Sequence, residues 1–440
     1  MTVATTISNR RVLRIALPIV VSNATVPLLG AVDTAVVGQL GQAAPIGAVG
    51  LGAIILASIY WIFGFLRMGT TGLVAQARGA GDEAETGALL TRALMIAFAA
   101  GFALVAGQAG ILWGAFKLAP ASAEVEALAR SYLAIRIWGA PAAIAGYALT
   151  GWLIAMERAR AVLLLQLFTN GVNVVLSVGF VLGLGWGVPG VAFGTLIAEW
   201  SGLALGLWLC RAAFAGARWR DWPRVFDAAK LRRMAQVNGD IMVRSVALQG
   251  CFTTFMFFGA GFGDVTLAAN QVLLQFLEVT AYALDGFAFA AEALVGQALG
   301  HHARDELRRA AILATKWGFG FAAALSAAFL LAGPAIIDLM TTSGEVREAA
   351  RHYLPWLIAA PLIGVGAWML DGIFIGATQT RDMRNAALVS VAVYALALAA
   401  LIPLIGNHGL WAGLMILNLT RGVTLGLRYP RIEARAAAPA

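Results

Sequence analysis

Residues Arg10 to Gly41 read RRVLRIALPIVVSNATVPLLGAVDTAVVGQLG, a basic head followed by an apolar stretch that carries one acid. More than 20 residues separate Arg14 from Gly38, and at ~1.5 Å per residue a helix of that length crosses a bilayer. Asp33 is the only charge among them. A carboxylate in hydrocarbon costs roughly 2.5 to 3.5 kcal/mol on insertion scales unless it faces a polar cavity or is protonated, so it marks a functional site. Pro18 and Pro27 lie on the same helix, where each removes a backbone hydrogen bond and supplies a hinge beside the acid.

The same pattern recurs along the chain. Its 440 residues are 60% hydrophobic and only 12% charged, far from the roughly 25% charge of soluble domains. Apolar runs at about 12–40, 46–76, 88–116, 126–156, 161–184, 188–212, 232–260, 264–298, 308–340, 345–378, 384–405 and 407–428 predict an all-α integral membrane protein with twelve transmembrane helices. The first run is too long, and too interrupted by prolines and Asp33, for a cleaved signal, so it is expected to remain in the mature protein. Cys210 and Cys251 both lie in apolar runs, so no disulfide framework is expected. The net charge of +8 does not concentrate with aromatics on a soluble segment, so no nucleic-acid partner is expected. Of the 31 Lys and Arg, Lys117, Arg130, Arg347 and Arg351 fall on one side of the alternating helices, Arg67, Arg136 and Arg244 within them, and the remainder on the side of the N-terminus. By the positive-inside rule both termini are cytoplasmic, in a multi-pass protein of the bacterial cytoplasmic (inner) membrane.

The polar stretch from Arg211 to Arg233, with Arg218, Arg220, Arg224, Lys230 and Arg232, divides six helices from six. It is read as a cytoplasmic linker (213–231) between an N-terminal lobe (1–212) and a C-terminal lobe (232–440). Across it the halves repeat at an offset of about 221 residues: EVEALARSYL from Glu124 matches EVREAARHYL from Glu345, and VAQARGAGDEAE from Val74 matches VGQALGHHARDE from Val295. Six helices return the chain to its starting side, so the repeats are parallel, and a substrate site between two such bundles is the expected consequence.

Polar residues inside the runs are the candidate site. TNGVNVVLSVGF from Thr169 places Asn173 and Ser177 at i, i+4, and GTLIAEW from Gly194 does the same for Thr195 and Glu199. With Asp33 these five make a candidate cation or proton pocket; the bland alternative is that the neutral ones join helices at ~0.6 kcal/mol each. The second half offers a candidate polar network of Asp240, Arg244, Glu278, Asp285, Glu292 and Asp371. Asp240 and Arg244, one turn apart, read as a neutralised pair. The spacing of seven places Glu278, Asp285 and Glu292 on one stripe facing the lobe interior. Trp61, Phe65, Trp138, Trp152, Phe255, Tyr282, Phe287 and Trp368 are candidates for lining a cavity, with core packing or a lipid-facing belt as the alternative for each. His301, His302, His352 and His408 have no metal-ligand spacing, and no clustered catalytic constellation is found, so neither a metal site nor a membrane enzyme is expected.

PLLGAVDTAVVGQLG from Pro27, GYALTGWLIAMERAR from Gly146, ALDGFAFAAEALVGQALG from Ala283 and MLDGIFIGATQTRDMRNA from Met369 resemble the multidrug and toxic compound extrusion (MATE) family, in its DinF-like branch, over essentially the whole chain. The resemblance implies two pseudo-symmetric six-helix lobes in a V and alternating access. It also implies efflux of amphipathic or cationic compounds against H⁺, or less readily Na⁺, with no cofactor. Partners would be small amphipathic molecules and membrane lipid, with the chain acting as a monomer. Asp33 matches the family's first-helix carboxylate, Pro18 the proline where that helix bends, and Asn173 and Thr195 polar partners of the acid. Ser177 departs from relatives that carry a second Asp there. Asp371 resembles an acid that a sister branch uses in its C-terminal lobe. The alternative within the superfamily is a flippase for lipids or lipid-linked saccharides, which should line its cavity with several basic residues.

The charge distribution makes a direct prediction. A cysteine placed in the Arg211 to Arg233 linker should react with a membrane-impermeant maleimide only in inside-out vesicles; labelling of intact spheroplasts would reverse the orientation.

Overall fold

The structure, a computed structural model, describes residues 7–118, 121–215 and 218–437, and the described residues are helical with no strand. The first crossing, α1, is in two pieces, Asn9–Ala24 and Val26–Gly38, neither long enough to span hydrocarbon alone. Eleven further helices among the described residues are long and apolar enough to do so. They are α2 (Ala43–Gly79), α3 (Glu83–Ala106), α4 (Ala123–Ala155), α5 (Ala159–Gly183), α6 (Gly187–Leu209), α7 (Ala228–Ala260), α8 (Asp264–Gly300), α9 (Arg304–Met340), α10 (Gly344–Gly376), α11 (Thr380–Ile405) and α12 (Asn407–Ala437). Their outward surface is hydrocarbon: Leu331 and Leu339 are 83% and 87% exposed, which only a lipid solvent tolerates over so many helices.

One helix read from the sequence over 12–40 is thus two. Pro18 is carried inside the first piece without breaking it, whereas Pro27 opens the second piece. A proline four residues after Asn23 excludes that carbonyl from the helix ladder, and the Thr25 hydroxyl turns back to donate to Ser22 O at 2.7 Å.

The chain divides into two compact units. One comprises residues 21–74 and 82–232, the other residues 7–20, 75–81 and 233–437. In the first, α2 and α3 pack on α4, and α5 on α6. The linker here is not a free strand of polar chain: Arg92 Nε and Nη2 donate to the carbonyls of Val225 and Arg224 at 2.8 and 2.6 Å, while Arg224 and Lys230 pair with Asp82 and Glu85 at the start of α3. Asp227 caps α7, and the backbone N–H groups of Lys230 and Ala229 hold its carboxyl below the usual carboxylate range. In the second unit α8 lies along α9 and α10, α11 along α12, around Phe255, Phe276, Phe329 and Trp411. Residues 7–20 belong here through Arg11 Nη2 donating to Gln297 Oε1 at 3.0 Å and Trp317 Nε1 to Asn9 Oδ1 at 3.0 Å. The end of α2 belongs here through Gln76 Nε2, which donates to Gly376 O at 2.9 Å.

The internal repeat is visible at the level of single backbone angles. The starts of α2, α3, α4 and α5, at Ala43, Glu83, Ala123 and Ala159, map onto those of α8, α9, α10 and α11 at Asp264, Arg304, Gly344 and Thr380, an offset of about 221 residues. The same offset joins positive-φ turns, Gly81 to His302 and Glu157 to Thr378, and helix caps, Ser122 bonded to Val125 N and Ser343 to Val346 N. It also joins two close approaches. A Cβ on Gly151 would lie 2.5 Å from the Arg67 carbonyl oxygen, and one on Gly372 would lie 2.4 Å from that of Ala288. Backbone cannot move aside as a side chain can, so each crossing requires glycine.

That requirement is testable. Gly372→Ala should lower stability by about 1–3 kcal/mol, the usual overpacking cost. Gly366→Ala, whose Cβ meets nothing within 4 Å, should stay within about 0.5 kcal/mol of the parent. Thermal unfolding followed by fluorescence-detected size exclusion distinguishes the two; equal melting would remove the crossing constraint.

Candidate functional site

α1, α5 and α6 bring Asp33, Asn173, Ser177 and Thr195 together in the interior of their unit. Asp33 is 6% exposed, while Asn173 and Ser177 are fully buried. Ser177 Oγ donates to Asp33 Oδ1 at 3.1 Å, Thr195 Oγ1 lies 3.3 Å from Asp33 Oδ2, and Asn173 Nδ2 donates to Thr195 Oγ1 at 2.8 Å. The approach of α6 to α5 is set by Gly194, whose Cβ would stand 2.9 Å from both the backbone N and Oγ of Ser177. Among the described residues no cation contacts the carboxylate directly; two hydroxyls lie on it.

The Thr195 hydroxyl has one proton and two acceptors, Asp33 Oδ2 and the Val191 carbonyl at 3.0 Å. When Asp33 is ionised the proton points to the carboxylate. When Asp33 is protonated its own O–H donates to Thr195 Oγ1, which turns its proton to Val191 and still accepts from Asn173. Both states are hydrogen-bonded with no movement of heavy atoms. Asn173 Oδ1, in contrast, is buried with no hydrogen-bond partner among the described residues, an oxygen available to a further donor or cation.

Glu199 departs from the expected cluster. It does not bond Asp33 but receives both arms of Arg136 from α4, Nη1 at 2.7 Å and Nη2 at 2.9 Å. Gly139 makes room for this fork, since a Cβ there would fall 1.9 Å from Glu199 Oε2. Arg136 is near enough to act electrostatically on Asp33, so the pair forms a neutralised wall beside the acid rather than part of its hydrogen-bonding set.

The charged residues of α7, α8 and α10 form no single network. Asp240 is not paired with Arg244 one turn away; it takes Arg384 of α11 at 2.7 Å and the Thr380 hydroxyl at 3.1 Å. Arg244 instead pairs with Asp371, on the same oxygen that Arg421 of α12 engages, and Asn418 holds Arg421 at 3.1 Å. Two guanidiniums on one carboxylate exclude Asp371 from binding a cation at that oxygen. Of the α8 stripe, Glu292 is buried and Asp285 half-buried, but Glu278 is exposed, against the expectation that all three face the interior. Trp152, Phe255 and Phe287 are core residues, and Trp61 and Trp138 lie on the surface. Sequence reasoning missed Arg421, which the charge sorting assigned to the cytoplasmic side although it is 6% exposed inside α12. Its position in an apolar helix, NLTRGVT, was the available signal.

The Arg136–Glu199 fork carries a stability prediction. Arg136→Met alone should destabilise by about 3 kcal/mol by stranding a largely buried carboxylate, and adding Glu199→Leu should restore most of it. A double-mutant cycle on melting temperature reads this; additive losses would show that the pair is uncoupled.

Comparison with known proteins agrees with this architecture. The MatE family model matches residues 18–200 and 241–401. The chain is 38% identical over 435 residues to DNA damage-inducible protein F of Escherichia coli (strain K12), covering 97% of this chain and 93% of that one. It is 29% identical to a probable multidrug resistance protein NorM of Rhizobium meliloti (strain 1021), covering 94% of each. Among solved structures, a MOP superfamily transporter from Pyrococcus furiosus superposes with a TM-score of 0.86 at 20% identity, over 97% of this chain and 96% of that one. The two matched segments fall on the two halves of the repeat, and the chain therefore belongs to the MatE family of membrane transporters.

Proposed function

We propose that this protein is a secondary antiporter of the cytoplasmic membrane that exports drug-like amphipathic or cationic compounds by alternating access, in exchange for H⁺ taken up at Asp33. Both termini are cytoplasmic, and the linker 213–231 connects the two six-helix lobes in sequence. The observation that carries the proton assignment is the hydrogen bonding of Asp33: neutral donors hold it, and Thr195 satisfies it with or without its proton. A carboxyl of that kind exchanges a proton by rotating a hydroxyl, whereas a counter-ion would lock it ionised. Asn173 relays the state of Thr195, and Ser177 orients Oδ1. The buried arginines Arg92, Arg136, Arg244 and Arg421 are each committed to a carboxylate, which disfavours the flippase for pyrophosphate-linked lipids.

Na⁺ is the second reading, and the unpartnered Asn173 Oδ1 is what favours it. With Asp33, Thr195 and Ser177 it makes four side chains and a single charge, a sparse set for a bound cation.

Asp33→Asn should abolish gradient-driven efflux, a loss of at least ~10-fold, while folding remains intact, because removing a membrane-buried charge favours insertion. Fluorescent-substrate transport in inverted vesicles with imposed pH or Na⁺ gradients measures this. Full efflux by Asp33→Asn, or transport that follows Na⁺ and ignores pH, would overturn the assignment.

A further inference from the structure

The offset of about 221 residues that relates the halves carries Asp33, Asn173 and Ser177 onto Thr254, Tyr394 and Leu398. These three positions line one cavity of about 560 Å³ between α7 and α11, with Cys251, Phe258 and Ala395. The repeat-related counterpart of the buried acid site is therefore an open, mainly apolar pocket of the size that takes a drug-like molecule. Its polar groups are neutral. Thr254 Oγ1 donates to Gly250 O at 2.7 Å and Tyr394 Oη to Cys251 O at 3.1 Å, so both hydroxyl oxygens retain lone pairs for a ligand O–H or N–H.

The charge nearby has a sign. Arg421 is close enough to act on the Cys251 thiol, and it belongs to the cluster in which two buried arginines, Arg244 and Arg421, share the single carboxylate of Asp371. That cluster carries an excess positive charge in a low-dielectric surrounding, which penalises a cationic ligand and tolerates a neutral or anionic one.

We propose that the α7–α11 cavity is an organic-ligand site of the transporter, taking aromatic amphipaths that carry no positive charge. The inference rests on the transporter reading and narrows its substrate class. The repeat has divided two tasks between equivalent positions: a closed polar site in one half and an open apolar site in the other.

The test uses three photoreactive diazirine-tagged naphthalenes of matched size, one neutral, one a carboxylate and one a trimethylammonium, on the full-length protein in nanodiscs. Peptide mapping should find saturable labelling of the 247–258 and 391–403 segments by the neutral and carboxylate probes. Labelling there by the ammonium probe should be at least ~10-fold weaker, equivalent to about 1.4 kcal/mol. Ala395→Trp should remove this labelling, with Ala399→Trp as a second cavity-filling variant and thermal melting as the control for folding. Equal labelling by the ammonium probe would overturn the proposal. So would labelling indifferent to both tryptophans in folded protein, or a phospholipid acyl chain that co-purifies with the wild type and is lost in the variants. Wild-type protein that labels as expected but exports none of the probes would sink the transporter reading and leave the site standing.

Discussion

Asp33 is a carboxylate in an apolar interior whose hydrogen-bonding partners are neutral hydroxyls. An ionised carboxylate held only by neutral donors in an apolar interior is an expensive arrangement. Asp371 shows the opposite solution. It is as deeply buried, but two arginines share one of its oxygens. Neutral donors hold one acid; guanidiniums hold the other. The neighbouring Arg136–Glu199 fork fits the same logic, since it brings charge to within range of Asp33 while cancelling most of its own field.

The internal repeat sharpens this distinction without any second sequence. What repeats is scaffold: helix starts, the caps at Ser122 and Ser343, positive-φ turns, and the glycines at which one helix touches another's backbone. What does not repeat is the buried acid. Asp33, Asn173 and Ser177 face Thr254, Tyr394 and Leu398 across the offset, and Asp371 faces Thr150. Two copies of one six-helix fold keep the geometry that packing demands, while each adapts its interior to a separate task.

Much of this was legible in the sequence, for identifiable reasons. Apolar runs of bilayer length fix helices because unsatisfied backbone is intolerable in hydrocarbon, and a lone acid in such a run stands out for the same reason. Asn173 and Ser177 were found because i, i+4 spacing shares a face, and that face does meet Asp33. The same rule misassigned Glu199, since sharing a face with Thr195 does not fix which neighbour stands opposite one turn further on; there it is Arg136 of α4. Asp240 and Arg244 failed likewise, each finding a partner on a helix far along the chain, Arg384 and Asp371. The α8 stripe kept its direction but not its burial, because positions 14 residues apart on a helix lie ~21 Å apart in depth and meet different packing.

The first crossing joins these threads. Residues 7–20 of α1 belong to the unit built from α7 to α12, and residues 21–38, with Asp33, to the unit built from α2 to α6. Between them lie Pro18, which lacks the N–H that would close its turn, and the break at Thr25, where Asn170 of α5 donates to both the Thr25 carbonyl and hydroxyl. The crossing is interrupted at Thr25, carries a proline inside its first piece, and has its two ends in different units. Neutralising Asp33 leaves its hydrogen bonds satisfied by a turn of the Thr195 hydroxyl, and the acid sits on the crossing whose two ends belong to different units.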